Sequence, residues 1–315
     1  MDAGGAMTDA NEERKNTELV ARLAGGALRE QRASRRWGVF FRLLFFGYVI
    51  AMTAVLLADT SGEFVYDGPH AAVVEISGVI AAGGDSDSLR INGALREAFE
   101  NPAAKGIILR INSPGGSPVE SNRIYRELRR LRGLHPDKKV YAVAGDLCVS
   151  GGYYIAAGAD EIYVDDNGII GSIGVILAGF GFTGAMEKLG VERRVQTAGD
   201  NKNMLDPFSP EDPRDAARIG AILDSVHQNF VAAVREGRGE RLSGRTEVFS
   251  GAVFSGARGV ELGLADGVGD SGYVAREILG VDELVFYNDA DFLDFVFDRL
   301  GAKISAFLQT APALR

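Results

Sequence analysis

The 315-residue chain contains only one cysteine and three histidines. A single cysteine excludes an intramolecular disulfide, so cysteine usage does not indicate the compartment. No cluster of histidine, cysteine and acidic residues has the spacing of metal ligands, and no glycine-rich phosphate fingerprint is present. The formal net charge of −9 argues against a nucleic-acid-binding surface, which is normally basic. We therefore expect no metal, no cofactor and no nucleic-acid partner.

One long apolar run is present, from Trp37 to Leu57, interrupted by Arg42. It is long enough to cross a bilayer as a helix. Arginines precede the run and acidic residues follow it, which favours a cytoplasmic N-terminus and an exported C-terminal domain. A cleaved signal peptide is the alternative, but the run begins late for one. We predict a polar cytoplasmic arm over residues 1–36 and a single-pass anchor over residues 37–57. The predicted location is a bacterial inner membrane, with the following domain on the periplasmic side.

From residue 71 onward, strand and helix patterns alternate. Short β-branched runs are typical of strands, and apolar residues three to four apart are typical of amphipathic helices. Strands are predicted at residues 72–76, 106–111, 139–144 and 161–164 and near 191–196, and helices at 88–99, 119–131, 185–189 and about 213–235. This order implies an α/β fold with a mostly parallel sheet and flanking helices. We assign residues 71–290 to one domain and residues 291–315 to an amphipathic tail.

A serine stands between a predicted strand and a glycine-led helix in Cys148-Val149-Ser150-Gly151-Gly152-Tyr153-Tyr154. Such a turn exposes the Ser150 hydroxyl, and the free N–H groups at the helix start favour negative charge beside it. The earlier segment Asn112-Ser113-Pro114-Gly115-Gly116 also follows a predicted strand, where it can supply a second N–H. Cys148 is the alternative nucleophile, or a small apolar residue beneath the turn. The pattern indicates a serine hydrolase.

A serine hydroxyl needs a base to attack an acyl carbon. Histidine is the usual base, but none of the three follows a strand end of the predicted domain; they are His70, His135 and His227. Lysine can replace histidine where burial strips its ammonium of water. The lysines of the predicted domain and tail are Lys105, Lys138, Lys139, Lys188, Lys202 and Lys303. The pattern favours Lys202, whose loop follows a predicted strand, without excluding the others.

Four segments together resemble the signal peptide peptidase A (SppA) family of membrane-bound serine proteases. They are Asn112-Ser113-Pro114-Gly115-Gly116-Ser117, Ser150-Gly151-Gly152-Tyr153-Tyr154, Gly171-Ser172-Ile173-Gly174-Val175 and the loop of Lys202. They occur in this order within about residues 73–269. A ClpP-like sequence would carry a catalytic histidine near residues 171–175, and none is present there.

The resemblance implies a ClpP/crotonase-type fold and a role for five residues. Ser150 would be the nucleophile and Lys202 the general base. Gly116 and Gly151 would donate backbone N–H groups to the oxyanion, and Ser172 would hydrogen-bond and orient the lysine.

The same resemblance implies a membrane-anchored serine endopeptidase with a Ser/Lys dyad that degrades cleaved signal peptides and similar apolar peptides. It also implies the single-length form of the family and a ring-shaped homo-oligomer. Whether Lys202 acts on Ser150 of its own subunit or of a neighbour stays open. Two alternatives use the same fold: a crotonase-like acyl-CoA enzyme and a non-catalytic membrane scaffold. An acyl-CoA enzyme would work near cytoplasmic substrate, and a scaffold would not need the serine and lysine.

Overall fold

The computed structural model describes residues 35–50, 52 and 68–288. Contacts divide the chain into two units, Met1–Val65 and Tyr66–Arg315. In the first unit, residues 35–50 form helix α1. Residues 51 and 53–57 of the predicted anchor, nearly all of the predicted arm and the whole predicted tail lie outside the described residues. Within the described ranges, no helix is both long and apolar enough to span a bilayer.

The second unit contains an eight-stranded sheet. Its strands are β1 His70–Ile80, β2 Ala104–Gly116, β3 Val140–Val149, β4 Glu161–Val164, β5 Ile169–Gly171, β6 Val253–Ser255, β7 Gly267–Val268 and β8 Leu284–Phe286. Along the main path the order is β6-β5-β3-β2-β1-β8, while β4 pairs with β3 and β7. Every pair is parallel except β5 with β6. The prediction of an α/β fold with a mostly parallel sheet is confirmed.

Helices connect and cover these strands. They are α2 Ser88–Glu100, α3 Pro118–Leu134, α4 Gly151–Ala156, α5 Thr183–Leu189, α6 Pro213–Arg238, α7 Gly256–Glu261 and α8 Ser271–Tyr273, and α8 continues as a π-helical turn over Val274–Leu279. Three of the longer ones begin at a side-chain cap, because the Asp87, Ser117 and Asp212 side chains each accept a backbone N–H of the first turn. The capped starts agree with the helices predicted at residues 88, 119 and 213 to within one residue.

The central strands extend further than their apolar runs predict. β2 and β3 continue through polar and glycine residues, with a register shift between Ile111 and Ser113, and Ser113 pairs with Cys148. A shift of this kind lets a strand bend and still keep its neighbour. The extensions carry the chain from the buried core to the edge of the sheet where the candidate residues lie.

Both faces of the sheet are covered. One buried cluster joins alternate residues of β1–β3 to α2, α3, α4 and α6, and a smaller one joins the other face to the Val274–Leu279 turn. Val73 and Val74 in β1 and Ile107 and Ile108 in β2 are all fully buried. Near-continuous apolar runs are typical of parallel strands that are covered on both sides.

Two groups of ion pairs stabilise the covering helices. Arg238, whose side chain is 1% exposed, donates hydrogen bonds of 2.6 and 3.0 Å to Asp266. Burial by itself raises the pKa of Asp266, but the hydrogen bonds and charge of Arg238 outweigh it and hold this pKa below its usual value. On α3, a hydrogen bond from Arg130 lowers the pKa of Glu127 to about 2. Partial burial opposes this shift, and a hydrogen bond from Arg96 reinforces it.

The segment between β5 and α6 lies largely exposed, with α5 as its regular element. The predicted strand near residues 191–196 is wrong, since residues 191–197 form no strand. Val191 and Val195 alternate with other residues as in a strand, but within the described chain no neighbouring strand pairs with them, and both stay exposed. Other large apolar side chains here are also exposed: Ile176, Leu177, Phe180 and Leu189.

Candidate active site

Ser150 occupies the single position between β3 and α4. Its backbone has φ +52° and ψ −123°, a conformation that residues with a Cβ rarely adopt. Its N–H donates to the Gly171 carbonyl at 2.9 Å, and its own carbonyl accepts the Tyr154 N–H at 2.9 Å. The side chain is half-buried, and among the described residues its hydroxyl has no hydrogen-bond partner. The turn therefore holds the backbone firmly and leaves Oγ free to react.

The glycines of the β2 end lie directly against this turn. A Cβ built on Gly115 would fall 2.7 Å from the Gly151 nitrogen and 3.0 Å from Ser150 Oγ. A Cβ on Gly151 would fall 3.3 Å from the Gly116 nitrogen. Gly116 is held in turn by its neighbour Ser117, whose N–H donates to the Ile80 carbonyl at 2.8 Å. Gly116 and Gly151 thus lie close together beside Ser150.

A cavity of about 370 Å³ opens at this point. Four of the five residues predicted for the site line it: Gly116, Ser150, Gly151 and Ser172. The other lining residues are Pro118, Ser121, Tyr154, Gly174, Val175, Ile176, Val226, Phe230, Ser250 and Gly251. The cavity combines the hydroxyls of Ser150 and Ser172, several backbone groups and an apolar wall.

Ser172 also has an unusual backbone, with φ +53°. It follows Gly171, the residue whose carbonyl accepts the Ser150 N–H, and its own N–H donates to the Ala252 carbonyl at 2.8 Å. These bonds link the Ser172 turn both to the Ser150 turn and to the segment before β6.

Lys202 does not line the cavity. It lies in a turn after Gly199, whose carbonyl accepts its N–H at 3.1 Å, and its side chain is exposed. In the single chain, the structure therefore brings the serines and glycines together and leaves the lysine apart from them.

Cys148 is no nucleophile in this arrangement. Its side chain is fully buried, and burial raises the pKa of its thiol to about 12, so the reactive thiolate is not formed at neutral pH. It is the small apolar residue beneath the turn that the sequence allowed as an alternative.

The three histidines have other partners. His70 is buried and bonded to Tyr287 at 2.9 Å. The His135 ring, at the end of α3, packs in a tilted arrangement against Phe99, with ring centroids 5.4 Å apart. His227 lies nearer the site, with Nε2 3.1 Å from the Ile173 carbonyl. Across the part of the chain that the structure describes, no group of three or more His, Cys, Asp or Glu residues forms a metal site.

The part of the apolar cavity wall that Tyr154 and Phe230 form was not predicted from the sequence. Tyr154 packs against Phe230 with ring centroids 4.7 Å apart and against Tyr125 edge-on at 5.4 Å. Its hydroxyl donates to Asn122 at 3.2 Å, and burial raises its pKa. Tyr154 stands in the segment that carries the resemblance, but α6, which contributes Phe230, offers only an ordinary amphipathic pattern. This wall depends on tertiary packing.

Comparison with known proteins gives consistent matches. A family model described as Peptidase family S49 matches residues 133–280, a range that includes Ser150, Ser172 and Lys202. The chain is 32% identical over 244 residues to a provisionally named signal peptide peptidase SppA of Enterococcus faecium, covering 74% of this chain and 70% of that protein. It is 34% identical over 214 residues to a provisionally named protease of Synechocystis, covering 67% of this chain and 75% of that one.

Two longer proteins also match. Proteins named Na⁺/H⁺ antiporter NhaA in Brucella melitensis and Brucella abortus are 43% identical over 213 residues, which cover 66% of this chain. The chain spans 29% of the length of each of these relatives.

Proposed function

Because the chain belongs to the SppA family of serine peptidases, peptidase family S49, we propose that it is a serine endopeptidase with Ser150 as nucleophile and Lys202 as general base. One observation carries the proposal. Ser150 lines a cavity together with Gly116 and Gly151, and its hydroxyl has no competing partner within the described chain. The mostly parallel sheet with flanking helices suits the ClpP/crotonase type, which we adopt as part of the proposal.

In the proposed reaction, Ser150 Oγ attacks the carbonyl carbon of the scissile peptide bond while the base takes its proton. The carbonyl oxygen becomes an oxyanion, and the N–H groups of Gly116 and Gly151 stabilise its charge. The tetrahedral intermediate then expels the amine, which receives the proton from the base. Water hydrolyses the acyl-enzyme by the same steps and restores the free serine. Ser172 orients the base in this scheme.

The base is proposed to come from a neighbouring subunit. A lysine accepts a proton readily near neutral pH only when its ammonium loses contact with water, and in the single chain Lys202 is exposed. Its segment also carries exposed apolar side chains, including Phe180 and Leu189. Packing of this segment on a second copy in a ring would bury both the apolar side chains and the lysine.

The proposed substrates are cleaved signal peptides and similar apolar peptides. The wall formed by Tyr154, Phe230 and Val226 offers apolar contact to a peptide. Gly174 and Val175 place backbone groups beside this wall. We further propose that residues 37–57 anchor the protein in the inner membrane with the catalytic domain outside. Protease added to intact spheroplasts should then digest that domain and spare a tag placed before residue 29. Protection of the domain would contradict this topology.

Neither alternative function gains support from a specific observation. An acyl-CoA enzyme is disfavoured by membership of a peptidase family. A scaffold would not need the free hydroxyl of Ser150 beside the two glycine nitrogens.

The decisive experiment compares wild type with Ser150→Ala and two lysine variants in hydrolysis of an apolar peptide and in labelling by a fluorophosphonate. Ser150→Ala should abolish both signals and keep the fold. Lys202→Arg should be nearly as inactive as Lys202→Ala, because arginine keeps the charge but does not release its proton. Activity of Ser150→Ala within a few-fold of wild type would remove Ser150 from the mechanism.

A mixed assembly tests the shared site. Co-expressed Ser150→Ala and Lys202→Ala subunits should regain activity, because some neighbouring pairs carry both wild-type residues. A dyad within one chain is not rescued in this way, so co-purified mixtures no more active than either parent would refute sharing and leave the dyad itself in place.

A further inference from the structure

The Ser172 turn is held by three hydrogen bonds, which its consecutive residues 171–173 make to three separate parts of the chain. The Gly171 carbonyl accepts the Ser150 N–H at 2.9 Å, and the Ser172 N–H donates to the Ala252 carbonyl at 2.8 Å. The Ile173 carbonyl accepts the third bond from the His227 side chain, at 3.1 Å. A non-glycine residue with positive φ persists only where its surroundings fix it, and here the bonds lie on both sides of the strained residue.

The third bond differs from the others because a side chain supplies it. Since a carbonyl only accepts hydrogen bonds, Nε2 of His227 carries the proton in this contact. His227 lies in the middle of α6, between Val226 and Phe230, which both line the cavity. Ile173 itself is fully buried, so the hydrogen bond from His227 satisfies a carbonyl that is shielded from water.

We propose that His227 is a positioning residue, which holds the Ile173 carbonyl and thereby keeps Ser172 in its strained conformation at the cavity. The inference rests on the proposed function, in which Ser172 orients the base. His227 is no general base in this arrangement, because its Nε2 is engaged by Ile173 and it does not line the cavity beside Ser150.

Three substitutions of His227 distinguish its role as a hydrogen-bond donor from a role in packing and from a role in proton transfer. Glutamine carries its amide nitrogen near the position of Nε2, so His227→Gln should keep the bond and stay within about twofold of wild-type kcat/KM. Asparagine is too short to reach Ile173, and phenylalanine fills the space without a donor. His227→Asn and His227→Phe should lower kcat/KM by roughly 3- to 10-fold, the range for loss of one ordinary hydrogen bond.

The matched control is Gln228→Ala, an exposed neighbour on the same helix that should leave kcat/KM unchanged. Melting temperatures of all variants show whether the fold is kept. If His227→Gln is as impaired as His227→Phe, the residue acts by proton transfer and the inference fails. If His227→Phe and His227→Asn both match the control, the carbonyl contact is irrelevant and the inference also fails.

A double-mutant cycle with Ser172→Ala tests whether His227 affects kcat/KM through Ser172. If His227 acts through Ser172, His227→Phe should lower kcat/KM less than twofold once Ser172 is already alanine. An undiminished effect in that background would overturn the inference. Failure of the proposed function is distinguishable, because it would appear as activity retained by Ser150→Ala, whatever the His227 variants do.

Discussion

Replacing Ser150 by glycine should give a more stable protein than replacing it by alanine, although both variants lose the nucleophile. At φ +52° and ψ −123°, any residue with a Cβ is strained, and glycine is not. Both changes remove the same hydroxyl, which has no hydrogen-bond partner among the described residues, so the comparison isolates the backbone.

The size of the difference follows from two opposing effects. Strain at a sparsely populated backbone conformation costs of order 1–3 kcal/mol, and glycine's greater freedom in the unfolded chain offsets about 0.4–1 kcal/mol of its advantage. Glycine should therefore be favoured by about 0.5–2 kcal/mol. For a domain of this size that corresponds to a melting temperature higher by roughly 1–8 °C.

The assay is thermal unfolding of both variants at one protein concentration, since assembly makes melting concentration-dependent. Ser225 in the exposed middle of α6 is the control, because there alanine should be the more stable by about 1 kcal/mol. If Ser150→Gly melts at or below Ser150→Ala while the Ser225 pair behaves as stated, the nucleophile is not held under strain and the reasoning is refuted.

Three further changes test other parts of the structure. Gly115→Ala would put a methyl group 3.0 Å from Ser150 Oγ, so kcat/KM should fall by roughly 100-fold; a loss below tenfold would contradict the tight approach of β2 to the nucleophile. Asp266→Ala leaves the buried Arg238 guanidinium uncompensated and should lower the free energy of unfolding by about 3–5 kcal/mol, measured by denaturant titration; a loss under 1 kcal/mol would refute this. Glu127→Gln should destabilise the protein at pH 7. A carboxyl whose pKa is lowered in the folded protein stabilises the fold at every pH above its ordinary pKa of 4.5. That difference should disappear as pH falls from about 4.5 to 2, and an unchanged difference at pH 2 would show that the carboxylate charge is not its source.

The sequence predicted the regular elements best where local chemistry defines where they begin. β4 is found at the predicted residues 161–164, and the helices starting near residues 88, 118 and 213 have side-chain caps. Four of the five site residues also come together, because parallel strands present their carboxyl ends at one edge of the sheet and a serine turn follows there.

The parts that were not predicted depend on contacts distant in the sequence. Residues 112–116 of β2 look like a loop, and they pair because β1 and β3 lie on either side of them. The reverse error occurs at residues 191–196, which have a strand pattern but find no partner strand in the part of the chain that the structure describes. His227 gives no local signal, since its importance depends on the carbonyl of residue 173, which is 54 positions away.

The pairing of β1 with β8 constrains how the domain is completed during synthesis. Among the described residues β1 is the first strand and β8 the last, and Ala71–Val73 pair with Leu284–Phe286. Until residue 286 has left the ribosome, one edge of β1 offers unpaired N–H and C=O groups to any other extended chain. His70 and Tyr287, bonded at 2.9 Å, then link the start of β1 to the residue that follows β8. A nascent or truncated chain is therefore open to misassociation along this edge, and the arrival of β8 covers it over Ala71–Val73.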